Sequence, residues 1–205
     1  MIAIVDYGVG NPDSVANMLV RIGVEAVITS DPRVIAAASK LILPGVGAFD
    51  AAMANLEKSS LIPVLTRQVH ERKVPILGIC LGMQLLCKRS EEGRTPGLGW
   101  LDAETVKFRF DPAGTDLKIP HMGWNSINVM RPSAILDERH DDSRYYFVHS
   151  YFVRCTREEN VLATTRHGDV FHSAVIQDNI YGTQFHPEKS HKFGLRLLEN
   201  FAKKA

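Results

Sequence analysis

Through its first half the sequence alternates short apolar runs with segments of helical spacing, and this alternation limits the possible folds more than any other feature. Ile2 to Asp6 reads as a strand, Asp13 to Ile22 as a helix and Ala26 to Thr29 as a strand. Lys40 to Leu43 is the next strand, with helices expected within Ala48 to Leu56 and Leu61 to Arg72. The apolar run Val74-Pro75-Ile76-Leu77, its proline at the strand start, then leads towards a helix at Met83 to Lys88. Strands separated by helices pair in parallel through crossovers, so the pattern predicts an α/β fold with a largely parallel central sheet and helices on both faces. The second half carries mainly β signals, at Ala103 to Phe108, Ser126 to Val129, Tyr145 to Val148, Phe152 to Arg154, Leu162 to Arg166, Ser173 to Gln177 and Ile180 to Phe185. Gly168-Asp169 and Asp178-Asn179 have the composition of hairpin turns, which predicts an antiparallel extension before a final helix, Phe193 to Lys203. No Ser/Gly-rich or charged linker divides the 205 residues, so one domain spanning 1–205 is expected.

Charge and cysteine usage narrow the function. Lys plus Arg number 24 against 23 Asp plus Glu, a formal net charge of +1, so no global field draws nucleic acid or an anionic membrane. The apolar runs are short, and strand-like Ile2-Ala3-Ile4-Val5 stands where a basic region and a signal-length apolar segment would be needed, so a soluble, cytoplasmic protein is expected. Cys80, Cys87 and Cys155 are odd in number and lack CxxC spacing, which disfavours a disulfide framework or a zinc ribbon. No metal and no cofactor are expected. Gly8-Val9-Gly10 superficially invites a dinucleotide reading, but the third glycine at the required spacing is missing and no acidic ribose partner is clear about 20 residues on.

The chemistry centres on Gly78-Ile79-Cys80-Leu81-Gly82, a cysteine on a sharp turn between a buried strand and a helix. This is the context of a nucleophile elbow with sulfur in place of oxygen, and the free N–H groups of the helix start favour a thiolate there. Taken alone, the pentapeptide is equally consistent with a small buried cysteine that merely packs. Phe185-His186-Pro187-Glu188 weighs against that reading. Pro187 biases His186 towards extended geometry, in which residues two apart share a side, so Glu188 is expected to reach His186 and orient it as a base for Cys80. An attacking thiolate creates an oxyanion, for which Leu81 N–H is one natural donor; the loop Pro44-Gly45-Val46-Gly47 is a source of another, though taken alone it is equally consistent with an ordinary turn.

Together these residues resemble the class I, triad-type glutamine amidotransferases, and more narrowly the glutaminase subunits of imidazole glycerol phosphate synthases. The general likeness lies in Gly78 to Gln84 (GICLGMQ) and Phe185 to Glu188 (FHPE). The narrower one lies in Asp6 to Asn11, Leu43 to Phe49, Ser90 to Gly93, Gly97 to Trp100, Pro120 to Asn125, Tyr146 to Tyr151 and Gln184 to Ser190, in family order from first strand to last helix. The resemblance implies a three-layer, doubly wound, flavodoxin-like fold. It also implies that Cys80 attacks the carboxamide of L-glutamine, with His186 as acid and base, Glu188 holding the imidazole, and Leu81, Val46 and Gly47 forming the oxyanion hole. Gln84, Glu92, Ser150 and Tyr151 match glutamine-holding positions. Without the resemblance, Glu92 would read as part of a solvated acidic turn and His149-Ser150-Tyr151 as a strand end.

The resemblance further implies a heterodimer with a separate (βα)8-barrel cyclase subunit, which consumes the ammonia. Asn11 and the segment Pro120, His121, Met122, Gly123, Trp124 and Asn125 match cyclase-facing positions; by composition alone the same segment reads as a buried hairpin with Trp124 in the core. The alternatives are a different acceptor synthase, such as one for anthranilate or aminodeoxychorismate, a non-catalytic structural subunit, and a hydrolase of other γ-glutamyl or peptide substrates. Two positions depart from the family pattern: Pro12-Asp13 after Asn11, and His191 where Gln is common. Both leave the triad intact, with local contacts expected to change.

Overall fold

A computed structural model describes residues 1–110, 117–137 and 143–205 of the chain. The alternation of the first half builds β1 (Ile2–Val5), α1 (Pro12–Arg21), β2 (Ala26–Thr29), α2 (Pro32–Ala37), β3 (Lys40–Gly45), α3 (Phe49–Lys58), α4 (Ile62–Thr66), β4 (Ile76–Cys80) and α5 (Leu81–Leu85). The second half adds β5 (Ala103–Lys107), β6 (His121–Ser126), β7 (Asn128–Val129), β8 (Arg144–His149), β9 (Tyr151–Cys155), β10 (Val161–His167), β11 (Asp169–Gln177), β12 (Ile180–Thr183) and α6 (His191–Lys204).

The main sheet runs β2-β1-β3-β4-β12-β11-β10-β7. Its first five strands are mutually parallel, and from β11 onward the pairing is antiparallel, with β9 joining β11 and β5 joining β9. Strands β6 and β8 form a separate antiparallel ribbon. The parallel strands bury both faces. Ala3, Val5, Leu41 and Leu43 join one apolar cluster with α3 and α4, while Ile2, Ile4, Ile42 and Leu77 join another with α1 and α6. This is the three-layer arrangement that the periodicity predicts. The chain leaves β1 to one side for β2 and to the other for β3 and β4, so a ligand crevice opens where the carboxyl ends of β1, β3, β4 and β12 converge.

Several elements differ from the sequence expectation for physical reasons. Helix α2 has no periodic run long enough to announce it, only Asp31, whose side chain accepts from Arg33 N at 2.8 Å, and Pro32 at the first helical position. The helix expected over Leu61 to Arg72 is α4 followed by a π-helical turn, Arg67–Glu71. There, Gln68 is buried and donates to the carbonyls of Ile35 and Ala36, and Asn179 in the last hairpin turn donates to those of Val69 and Val74. Helix α5 starts two residues earlier than expected and stops at Leu85 because the carbonyls of Leu86, Cys87 and Lys88 turn to amides of Gly97, Gly99, Trp100 and Leu101. In place of a strand over Ser126 to Val129, His121 to Ser126 pairs residue for residue with β8 and only Asn128–Val129 continues as β7. The last strand ends at Thr183, two residues short, which releases Gln184 and Phe185 to lead the chain into His186.

Candidate active site

Cys80 ends β4 and is the N-cap of α5, with φ 53° and ψ −111°. A non-glycine residue at positive φ is strained, and the packing around the turn holds it there. Gly78 and Gly82 make that packing close: a Cβ on Gly82 would lie 1.9 Å from the Leu43 carbonyl oxygen, and one on Gly78 would lie 2.7 Å from the Met83 backbone. The turn therefore sits directly on β3, and Cys80 is 6% exposed at its apex.

His186 and Glu188 are both buried, and Nδ1 of the imidazole lies 2.7 Å from Oε1 of the carboxylate. Extended geometry across His186-Pro187-Glu188 is corrected by the structure: His186 is extended, but Pro187–Lys189 is a 3-10 turn, and it is this turn that folds Glu188 back onto the ring. An ionised carboxylate can only accept, so Nδ1 carries the donated proton and Nε2 is left to exchange protons with a reactant. That Nε2 is buried and has no hydrogen-bond partner among the described residues. Burial works to lower the His186 pKa, but the nearby Cys80 and the hydrogen bond and charge of Glu188 outweigh it and raise the pKa to about 10. The backbone is held too, since His186 N donates to Tyr146 O and the Ser190 hydroxyl donates to His186 O.

Cys80 and His186 line one cavity of about 340 Å³, together with Val46, Gly47, Leu81, Gln84, Glu92, Pro120, Val148, His149, Ser150 and Tyr151. The structure thus brings ten of the predicted site residues to a single crevice: Cys80, His186, Leu81, Val46, Gly47, Gln84, Glu92, Ser150, Tyr151 and Pro120. The segment expected as a loop over Pro44 to Gly47 begins inside β3, where Pro44 and Gly45 pair with Ile79 and Cys80, and only then leaves the sheet; the buried Tyr7 hydroxyl, just after β1, donates to Pro44 O at 2.7 Å. Glu92 stands in a turn, as expected, but is half-buried and its carboxylate is engaged. Its Oε2 accepts from Phe49 N at the start of α3, and burial, with Asp50 nearby, pushes its pKa up. An anion at that helix start is favourably placed, and its carboxylate is held at the cavity wall.

Sequence reasoning missed two parts of the site. Gln184, fully buried, accepts from Gln84 Nε2 at 3.2 Å, and its own Nε2 lies 3.7 Å from Cys80 Sγ. The signal for it was a polar residue between the apolar strand start Ile180-Tyr181 and Phe185, immediately before His186. His149 is the second. Its Nδ1 lies 2.8 Å from Tyr151 O, which also accepts from Gln84 Nε2 at 3.1 Å. A carbonyl only accepts, so the proton sits on Nδ1 of His149 and its Nε2 accepts from His121 Nδ1 at 3.0 Å. Burial lowers the pKa of His149 to about 3 and of His121 to about 4, so both rings are neutral near pH 7, and Asn125 Nδ2 donates to the remaining nitrogen of His121. A directed chain of hydrogen bonds therefore runs from β6 to the cavity.

The same strand has an outer side. Met122 and Trp124 are 62% and 44% exposed, which corrects the buried-hairpin reading: alternation along β6 turns His121 and Asn125 inwards and these two outwards. Gly123 takes φ 120° between them. His191 stacks on Trp124, with ring centroids 5.4 Å apart and planes 6° from parallel. Asn11 has a structural task, its side-chain oxygen accepting from Ser14 N as the cap of α1, with Pro12 at the first helical position.

The family model for glutamine amidotransferase class-I matches residues 3–205. The chain is 54% identical over 205 residues to imidazole glycerol phosphate synthase subunit HisH 2 of Methanococcus maripaludis, covering 100% of both. It is 50% identical over 201 residues to the HisH 2 subunit of Pseudomonas aeruginosa, covering 98% of each. Among solved structures, PurLQS from Thermotoga maritima superposes with a TM-score of 0.70 at 18% identity, over 98% of this chain and 96% of that one, a likeness of fold.

Proposed function

Because the chain belongs to the class I glutamine amidotransferase family, we propose that it is the glutaminase subunit of an imidazole glycerol phosphate synthase, hydrolysing L-glutamine and passing ammonia to a cyclase subunit. The observation that carries the chemistry is the strained Cys80 sharing a cavity with His186, whose Nδ1 is held by Glu188 at 2.7 Å.

Cys80 Sγ attacks the carboxamide carbon, and the carbonyl electrons move onto oxygen. Leu81 N–H, first in α5 and without an intrahelical acceptor, receives this oxyanion with an amide of Val46 or Gly47; losing one such donor costs about 3 kcal/mol of barrier. His186 gives its Nε2 proton to the leaving nitrogen, and ammonia departs as the γ-glutamyl thioester forms. Water then attacks the thioester, His186 takes its proton, and collapse expels the thiolate with glutamate. Glu188 keeps the imidazole in the required tautomer throughout. Glu92 faces the α-ammonium group of glutamine, Gln84 flanks the substrate, and Ser150 and Tyr151 meet its α-carboxylate through backbone amides.

Ammonia that reached bulk water would be protonated and lost as a nucleophile, so an acceptor enzyme docks over the crevice. Asn11 and Pro120 to Asn125 form the docking side for a (βα)8-barrel cyclase, and the exposed Met122 and Trp124 supply the apolar, aromatic surface that interface cores favour. Cyclase binding sets the Pro44 to Gly47 loop and so activates a subunit that is slow alone. The site of action is the cytoplasm; among the described residues no helix is long and apolar enough to cross a membrane. The test is glutamate release by the chain with and without a purified cyclase and its ribotide. Strong stimulation is expected, together with loss of turnover in Cys80→Ala; full turnover in that variant would overturn the mechanism.

A further inference from the structure

We propose that Gln184 is the hydrogen-bond donor that holds the Cys80 sulfur as a nucleophile and receives it again as a leaving group. The inference rests on the reading of Cys80 as the attacking atom. Its warrant is the orientation of a side-chain amide, which the surrounding network settles. The carbonyl oxygen of Tyr151 cannot donate, so the nitrogen of Gln84 faces it, and that same nitrogen faces Gln184. Gln184 must therefore turn its oxygen to Gln84 and its NH2 to Cys80, where Nε2 lies 3.7 Å from Sγ, within hydrogen-bond range for sulfur. The backbone of Gln184 is fixed as well, its N–H donating to Ser173 O at 2.9 Å, and the residue is wholly buried.

A donor aimed at sulfur is worth more to a thiolate than to a neutral thiol or thioester, because the bond is charge-assisted only in the first case. It therefore stabilises the nucleophile before attack and the departing thiolate when water opens the thioester, an effect confined to states in which sulfur carries charge. Helix α5 is five residues long, so this amide supplements what so short a helix can offer.

The experiment follows Cys80 alkylation by neutral iodoacetamide across pH in the full-length chain, resolved by peptide mass with fully buried Cys87 as an internal reference. Gln184→Met keeps the length and removes the donor. Alkylation at pH 7 should fall about tenfold or more, with the profile displaced to more alkaline pH, as expected for losing a hydrogen bond to a charged group. Gln84→Met leaves Gln184 in place but frees its amide to rotate, and should give a smaller displacement in the same direction. A folded Gln184→Met that superimposes on the wild-type profile overturns the proposal. If Gln184→Met fails to fold, Gln184→Asn, whose amide is one methylene too short to reach Sγ, takes its place, and an unchanged profile there overturns the proposal. Full glutaminase turnover in Cys80→Ala would sink the reading of the nucleophile, a separate result from either alkylation outcome.

Discussion

Proton placement at His186 is settled by three atoms: a carboxylate oxygen that only accepts, the Nδ1–H that satisfies it, and the Nε2 left without a partner among the described residues. Glu188→Gln weakens this charge-assisted bond and allows the wrong tautomer, so kcat for glutamine hydrolysis should fall by about 10²- to 10⁴-fold with KM little changed, as steady-state kinetics with the cyclase present would show. The linked pH effect has a definite sign. Because the folded-state pKa of His186 is raised from 6.5 to about 10, its stabilising contribution is complete below about pH 6.5 and is lost as pH rises towards about 10. The melting temperature followed from pH 6 to pH 10 should decline over this interval, and the decline should be shallower in Glu188→Gln. Equal slopes in the two proteins would show that the carboxylate does not hold the imidazolium.

Among the elements, the β6–β8 ribbon stands out because it reaches both the outside and His186. Trp124 lies opposite Tyr146 in its register, and Tyr146 O accepts from His186 N. Inside the ribbon, His121 and His149 are held neutral by burial, with pKa values lowered to about 4 and about 3. Groups depressed in this way contribute stability above the ordinary histidine value of about 6.5 and lose it as pH falls through the folded-state values. Acid unfolding should therefore begin below about pH 6.5. His149→Phe should flatten that acid limb and raise KM for glutamine several-fold, because Tyr151 O then loses one of its two donors, a hydrogen bond worth roughly 1 kcal/mol. Melting curves from pH 7 to pH 4 and glutamine saturation curves provide the check; an unaltered acid limb would mean that the two histidines do not govern it.

For the whole molecule, the crevice and the exposed strand adjoin, since Pro120, just before β6, lines the cavity while Met122 and Trp124 are exposed. Docking there would close the route by which ammonia meets water. Trp124→Ala removes a ring that is 44% exposed and meets His191 and Tyr146 at the surface of the ribbon, so the urea midpoint should move by less than about 1 kcal/mol equivalent. Affinity for the cyclase should nonetheless fall at least tenfold, about 1.4 kcal/mol or more, as for a truncated aromatic anchor. Titration calorimetry separates the two effects, and an unchanged Kd would exclude Trp124 as an anchor.

What the sequence by itself determined was carried by neighbours along the chain. The alternation of strands and helices prescribed the parallel sheet, Gly78 to Gly82 the turn that carries Cys80, and His186-Pro187-Glu188 the imidazole with its carboxylate, since all depend on spacings of a few residues. Even there the route was misread locally, because a 3-10 turn and not an extended segment delivers Glu188. Tertiary structure alone decided the rest. Glu92 meets Phe49 N across 43 positions, and Gln84 meets Gln184 across 100. Whether Trp124 is core or surface likewise depended on which face of β6 the ribbon presents. Contacts of this range follow from strand order and register, which periodicity along the chain does not encode, so only the folded sheet could bring these side chains to the sulfur of Cys80.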